Sequence, residues 1–245
     1  MGNDQDKELQ QKVTAYRPSK NALDKVKHIP LLFAVGISGA GKDTALRTLL
    51  EHHPNDYSWL VTTTTRPRRE NNGVMEEHGV EYYFIDKPSA ERLLNEGAYV
   101  EANYYASNVY GATIAEIARG GQEHKILVSD IDVNGILNFV RLGMNVKPVF
   151  ILPPSYEIWH ERFHRRYGDA LDQQDLRKRL TTALAELKDA LDHDYYYLVI
   201  NDTIEETVER IHTIAHGQEA ERRSPQAIRL IEQLRADITR ELADA

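Results

Sequence analysis

The sequence predicts an α/β fold in which helices cover both faces of a parallel sheet. Residues 29–36 form an apolar run without alternation, which is typical of a strand buried on both faces. A glycine-rich turn and a helical pattern over residues 42–53 follow directly, and strand and helix patterns alternate again over residues 125–215. Such alternation indicates parallel strands joined by crossover helices.

The composition excludes several classes of protein. With 41% hydrophobic and 28% charged residues, the chain is neither disordered nor fibrous. It has no cysteine, which excludes disulfides and thiolate metal sites and fits a cytoplasmic location. The longest apolar run, residues 29–35, is too short to cross a bilayer, so no membrane partner is expected. A net charge of −8 argues against a nucleic-acid partner, whose phosphates require a basic surface.

The middle of the chain divides into a core and an insert. The insert, residues 62–113, is rich in Arg, Tyr, Asn and Gly and is expected to form a small subdomain of short strands. The core comprises residues 29–61 and 114–216. Its further strands are expected at residues 57–63, 125–129, 147–152 and 195–200, and its further helices at residues 134–142, 155–166, 176–191 and 204–215.

The two ends are predicted separately. Residues 1–28 are polar and show no clear period, which indicates an N-terminal arm that is either mobile or a short helix. Residues 217–245 are predicted to be an amphipathic helical tail. Its apolar stripe packs on its own domain or, alternatively, on a second copy of the chain. The protein is accordingly expected to be a monomer or a homodimer.

The spacing Gly36-x-x-x-x-Gly41-Lys42 lies directly between the buried strand and the following helix, which is the context that a P-loop requires. Backbone N–H groups and the helix N-terminus bind an anion there, and Lys42 adds a charge at the β- and γ-phosphates. Thr44 can offer its hydroxyl to Mg²⁺. The predicted triphosphate site is Ser38, Gly39, Ala40, Gly41, Lys42, Asp43 and Thr44.

Asp43 departs from the usual loop, which has Ser, Thr or Gly after the lysine. A carboxylate beside a triphosphate repels it unless the side chain points away or toward the metal. A glycine-rich turn without any ligand is the alternative interpretation. The agreement of strand, loop, lysine and helix argues against that alternative.

Eight short segments resemble the guanylate kinases in the order in which that family has them. They are residues 62–69, 81–84, 97–101, 108–111, 130–135, 153–155, 178–180 and 201–202. The resemblance covers residues 29–216. It implies a P-loop parallel sheet with an inserted monophosphate-binding subdomain and a helical lid at about residues 160–180. The implied reaction converts ATP and GMP to ADP and GDP, and dGMP is an expected further acceptor.

The resemblance also implies the residues that bind GMP. They are Thr62, Arg66, Arg68, Arg69, Tyr82, Glu101, Tyr110 and Asp132. Arginines offer planar bidentate donors to a phosphate dianion, and the tyrosine hydroxyls lie beside them in the family. Glu101 and Asp132 can accept the N1–H and amino protons of guanine, whereas adenine has no proton at N1. Each carboxylate alone is more often a surface acid, but both lie in family motifs.

Four arginines, Arg162, Arg165, Arg166 and Arg179, resemble the lid, whose arginines neutralise the transferred phosphoryl group. Arg166 and Arg179 match best, Arg162 is expected to face the phosphates as well, and Lys42 completes the catalytic set. Asn201 resembles the residue that contacts the adenine of ATP. The cofactors implied are Mg²⁺ and ATP as the phosphoryl donor.

Several departures keep alternatives open. Ala112 stands where the family has a hydroxyl near the guanine, and Thr113 or water could replace that contact. An insertion at residues 71–79 leaves open which of Arg68 and Arg69 binds the acceptor. The related ribose 1,5-bisphosphate phosphokinases also have an aspartate directly after the loop lysine, as this chain has at Asp43. A sugar-phosphate acceptor is therefore an alternative. A non-catalytic guanylate-kinase-like binding module is a further one, although such modules lose the loop lysine and lid arginines.

Overall fold

The computed structural model describes residues 2–71, 73–167, 173–218 and 221–244. The central part of the predicted lid, residues 168–172, lies outside the described residues, and so does the side chain of Arg166. The helices are α1 (Gly2–Ala15), α2 (Lys20–Asp24), α3 (Lys42–His52), α4 (Lys87–Asn95), α5 (Ile114–Gln122), α6 (Val133–Arg141), α7 (Tyr156–Tyr167), α8 (Gln173–Asp192), α9 (Ile204–Ala215) and α10 (Pro225–Asp244).

The strands vary from two to seven residues in length. They are β1 (Leu31–Val35), β2 (Tyr57–Trp59), β3 (Thr63–Thr64), β4 (Glu70–Asn71), β5 (Val74–Met75), β6 (Tyr83–Phe84), β7 (Tyr99–Tyr105), β8 (Asn108–Thr113), β9 (Ile126–Asp130), β10 (Val146–Leu152) and β11 (Tyr197–Ile200). These elements divide into two compact units. The first contains the residues up to Leu31, Ser58–Leu127 and Leu137–Val146; the second contains Leu32–Tyr57, Val128–Ile136 and the residues from Lys147 onward.

The first unit is built on a mixed sheet with the strand order β6-β3-β8-β7. Strand β3 pairs in parallel with β6 and antiparallel with β8, and β7 and β8 form a long antiparallel pair. In this pair Glu101 lies directly opposite Ala112. Strands β4 and β5 form a separate antiparallel hairpin. The insert predicted from the sequence therefore contains short strands, most of them in one sheet.

The N-terminal residues belong to this first unit. Helix α1 packs on α4 and β7, with Leu9 and Val13 buried in a cluster that includes Leu94 and Tyr99. The hydroxyl of Tyr16 donates to Tyr99 O (2.6 Å) and accepts from Tyr99 N (3.1 Å), which satisfies backbone groups of strand β7. The predicted N-terminal arm thus contains the helices α1 and α2. Its helical pattern is weak because few apolar residues mark the buried face of α1.

The larger sheet has the strand order β11-β10-β1-β9-β2, and most of its residues lie in the second unit. Strand β1 is buried at every residue, and β10 and β11 pair in parallel with Phe150 opposite Leu198. This parallel sheet flanked by helices confirms the predicted α/β class. No helix in the described part of the chain is both long and apolar enough to cross a membrane.

The C-terminal helix α10 packs on α7, α8 and β11 within the second unit. Its residues Ile231, Leu234 and Ile238 are fully buried there. The Ser224 hydroxyl accepts from Ala227 N (3.1 Å) and caps the start of the helix. The apolar stripe is therefore covered within its own unit, and it gives no argument for a second copy of the chain.

Candidate functional site

The phosphate loop connects β1 to α3 in the second unit. Gly36 has a φ of 138°, and a Cβ there would lie 2.4 Å from Ile151 O, so only glycine fits against β10. Gly41, at φ 94°, precedes the first helical residue Lys42. The loop therefore turns directly into the N-terminus of α3, where unpaired N–H groups and the helix dipole favour an anion.

Two distant side chains hold this loop. Trp159 of α7 is 1% exposed and donates its indole N–H to Ser38 O (2.8 Å). The Asn201 amide donates to Ala40 O (2.8 Å) and accepts from the hydroxyl of Thr207 (3.0 Å). Asn201 is buried, and its amide stabilises the loop; its contact with adenine stays a prediction.

The charge of Lys42 lies at the mouth of the loop. Its Nζ donates to Gly36 O (2.6 Å) and lies 4.0 Å from the carboxylate of Asp130, which ends strand β9. The Lys42 side chain is 15% exposed, so its interactions are only partly screened by water. A bound triphosphate can take over these interactions of the ammonium group. Asp130 was not among the predicted site residues, although it lies in one of the segments that resemble the family.

The unusual Asp43 carboxylate accepts from Arg47 Nε, with both oxygens at 3.0 Å. The two residues are four apart in α3, the spacing at which side chains of a helix meet. The pairing offsets the negative charge of Asp43 beside the loop. The spacing of Arg47 from Asp43 was visible in the sequence, but the ion pair was not predicted.

Glu186 of α8 interacts electrostatically with Lys42 and with three carboxylates of the second unit. Burial raises the pKa of Glu186 in α8 to about 7, and Lys42 acts in the opposite direction. Three neighbouring carboxylates also raise it: Asp132, Asp130 and Asp189. Glu186 is therefore partly protonated at neutral pH, a feature that local sequence patterns do not reveal.

We expect Glu186→Gln to stabilise the ligand-free protein more at pH 8 than at pH 5. Because the pKa of Glu186 is raised from 4.5 to about 7 on folding, its protonated form stabilises the fold below about pH 4.5. That stabilisation is lost as the pH rises through 7. Urea unfolding should show a gain of about 2 kcal/mol at pH 8 and a much smaller gain at pH 5. Glu232→Gln, at an exposed position of α10, is the control, and equal gains at both pH values would contradict the assignment.

The lid arginines differ in their surroundings. A Cβ built on Gly41 would lie 3.9 Å from Arg162 Nη1, so this guanidinium lies beside the loop. Arg165 and Arg179 are exposed on α7 and α8. Arg166 lies in α7, but its side chain is outside the described part. The roles of these arginines in catalysis stay predictions.

In the first unit, Arg66 forms a buried ion pair. Its Nη1 and Nη2 donate to the two carboxylate oxygens of Glu76 at 2.7 and 2.8 Å, and Glu76 also accepts from Arg69 N (2.8 Å). Both charged side chains are only 7% exposed. The hydrogen bond from Arg66 lowers the pKa of Glu76 below its usual range. The outer nitrogens of Arg66, predicted to bind the acceptor phosphate, are engaged by Glu76 in this arrangement.

Aromatic rings surround this pair. The Arg66 guanidinium lies 5.3 Å from the centre of the Tyr82 ring, and Tyr82 meets Tyr110 edge to face at 6.1 Å. Arg68 is exposed and lies 5.5 Å from the ring of Phe84. Arg66, Arg68, Tyr82 and Tyr110, which the sequence analysis assigned to one phosphate site, are thus grouped in the first unit. Arg69 is exposed close by in the chain, and Thr62 is half-buried before β3.

The predicted base-reading residues lie on different elements. Glu101 lies in β7 of the first unit opposite the buried Ala112. Thr113, considered as a replacement for the missing hydroxyl, instead accepts from Glu116 N (3.2 Å) as the N-cap of α5. Asp132 belongs to the second unit, where its Oδ1 accepts from Gly135 N (2.7 Å) at the start of α6.

Comparison with known proteins agrees with these features. The family model described as "Guanylate kinase" matches residues 30–218. A guanylate kinase from Thermus thermophilus is 34% identical over 178 residues, which are 73% of this chain and 76% of that protein. The pig (Sus scrofa) enzyme is 30% identical over 171 residues, covering 69% of this chain and 83% of its own length. The crystal structure of guanylate kinase from Anaplasma phagocytophilum matches with a TM-score of 0.56 at 26% identity, covering 80% of this chain and 88% of that one. The chain therefore belongs to the guanylate kinase family.

Proposed function

We propose that this chain transfers the γ-phosphoryl group of ATP to GMP, giving ADP and GDP. The observation that carries the proposal is the complete phosphate loop, with Lys42 at its mouth, in a chain that belongs to the guanylate kinase family. The transfer is direct and in line, because phosphoryl transfer requires positioning and charge neutralisation rather than a covalent intermediate.

The donor residues are those of the loop in the second unit. The N-terminus of α3 and Lys42 hold the β- and γ-phosphates. Arg162, Arg166 and Arg179 neutralise the charge that moves with the γ-phosphoryl group. The Thr44 hydroxyl and the Asp130 carboxylate are oxygen ligands of the kind that Mg²⁺ prefers, and Thr44 is exposed in the first turn of α3. Mg²⁺ held by these oxygens would supply positive charge that offsets the charge of the phosphates.

The acceptor residues are mainly those of the first unit. Arg68 and Arg69 are exposed and offer their guanidinium groups to the phosphate of GMP, while the ion pair of Arg66 with Glu76 orders the segment between them. Tyr82 and Tyr110 add hydroxyl donors. Glu101 and Asp132 accept the donor edge of guanine. Because Ala112 supplies no hydroxyl, the carboxylates carry most of the base selectivity.

Neither alternative interpretation gains support. The sugar-phosphate acceptor was suggested by Asp43, whose charge is offset by Arg47 and which therefore needs no different substrate. The non-catalytic module is disfavoured by Lys42, which remains at the mouth of the loop. The cytoplasmic location, the absence of nucleic-acid and membrane partners, the use of dGMP and the monomeric or homodimeric state stay predictions.

A coupled assay of ADP release with Mg²⁺-ATP and GMP, dGMP, AMP, UMP or CMP tests the proposal. We expect turnover with GMP and dGMP and little with the others. Glu101→Gln should lower kcat/KM for GMP about 10²-fold, because an amide loses one charge-assisted acceptor. Glu96→Gln, at an exposed position of the same unit, should change little. Absence of ADP release with GMP would refute the assignment.

A further inference from the structure

Three side chains of types that can bind a metal ion meet in the second unit. His160 and His164 lie one turn apart on α7, with ring centres 4.1 Å apart. Glu241 reaches them from α10, and its Oε1 lies 3.5 Å from His160 Nε2. One ligand atom from each of the three lies within 4.8 Å of the other two. Small movements of these side chains would bring all three atoms to one ion.

Tyr156 orients the carboxylate of Glu241. The hydroxyl of Tyr156 donates to Glu241 Oε2 at 2.9 Å, which leaves Oε1 on the side of His160. Hydrogen bonds of this type, from an outer residue to a ligating carboxylate, are usual at metal sites.

We infer that His160, His164 and Glu241 form a binding site for a divalent metal ion of the zinc class. Two imidazoles and one carboxylate are a ligand set that Zn²⁺ accepts, with water in the remaining position. His164 is exposed while His160 and Glu241 are half-buried, so an ion can enter from solvent. All four side chains, including Tyr156, lie in one compact unit.

The site would connect a helix inside the family match with a helix outside it. Helix α7 carries Arg162, whose guanidinium lies beside the phosphate loop. Helix α10 begins at Pro225, beyond the residues 30–218 that match the family model. A metal ion held by both would fix α7 to a segment outside the family match. Of the three ligands, Glu241 therefore lies outside the matched region.

A second group, His53, Asp56 and His212, provides an internal comparison. The rings of His53 and His212 are stacked at 4.0 Å with an interplanar angle of 15°, so the two imidazoles face each other rather than converge on a common point. His212 Nδ1 is also hydrogen-bonded to the hydroxyl of Tyr57 (2.9 Å). This stacked pair is therefore the weaker candidate, and it is the place where added metal could bind instead.

Calorimetric titration of the full chain with Zn²⁺, after treatment with a chelator, tests the inference. We expect one site in the unmodified protein and a loss of affinity of at least about tenfold in both His164→Ala and Glu241→Gln. Tyr156→Phe should weaken binding by about tenfold. Zn²⁺ should raise the Tm of the unmodified protein but not of Glu241→Gln.

His53→Ala is the matched control and should bind Zn²⁺ as the unmodified protein does. His164 is exposed, so its replacement should leave the fold intact, and circular dichroism checks this. Binding that survives in both His164→Ala and Glu241→Gln, binding that is lost in His53→Ala, or no binding in the unmodified protein would each overturn the inference.

Discussion

We expect Lys42→Ala to lower kcat for GMP phosphorylation about 10³-fold while the affinity for GMP changes less than about twofold. The ammonium group lies at the mouth of the loop, within 2.6 Å of Gly36 O and 4.0 Å of Asp130. No other lysine takes its place in the loop segment. Its charge matters most as the γ-phosphoryl group leaves the β-phosphate, so the loss appears chiefly in kcat.

Steady-state kinetics with Mg²⁺-ATP and calorimetric binding of GMP measure the two quantities separately. Lys188→Ala is a matched control, because Lys188 forms an exposed ion pair with Asp192 on α8. Exposed pairs of this type contribute little, so the control should keep its activity and stability. Turnover by Lys42→Ala at the rate of the unmodified protein would contradict the assignment of the loop.

The second large effect is expected at the buried ion pair of the first unit. Arg66→Met should lower the free energy of unfolding by about 3 kcal/mol, since it leaves the carboxylate of Glu76 buried without its guanidinium. The pKa of Glu76 is lowered by Arg66. The stabilisation from the pair is therefore present above the usual carboxyl pKa of 4.5 and is lost as the pH falls through the lowered value. Urea unfolding at pH 7 and at pH 3 should show a large difference at pH 7 that shrinks in acid.

A double variant separates stability from binding. Arg66→Met combined with Glu76→Leu removes both charges, so much of the lost stability should return. If Arg66 also contacts the acceptor phosphate, this double variant should bind GMP more weakly although it is folded. Arg68→Met, an exposed neighbour, should leave stability unchanged. An Arg66→Met protein as stable as the unmodified one at pH 7 would show that the ion pair contributes nothing.

The parts of the site that are contiguous in sequence could be predicted, and the parts that depend on distant residues could not. Strand β1, the loop and α3 follow one another directly, so spacing alone identified them. Trp159 lies 121 residues along the chain from its partner in the loop, and Asn201 lies 161 residues from its partner. No local sequence pattern predicts contacts between residues so far apart. Arg47 was different, because its spacing from Asp43 was visible in the sequence.

The insertion at residues 71–79 has a structural role that could not be predicted from the sequence. In the sequence it interrupts the resemblance and leaves open which of Arg68 and Arg69 binds the acceptor. In the structure it carries Glu76, which engages both outer nitrogens of Arg66. Likewise, the proton on Glu186 depends on burial and on carboxylates from other elements, which appear only once the chain is folded.

Helix α1 also bears on how this protein is cut into fragments for expression. The family match begins at residue 30, and a fragment trimmed to residues 30–218 would lack the helix that covers Leu94 and Tyr99. It would also lack the Tyr16 hydroxyl that satisfies backbone groups of strand β7, which lies at the edge of its sheet. Exposed apolar residues beside an uncovered strand edge favour association between chains. The limits of the family match are therefore not the limits of a well-behaved recombinant fragment.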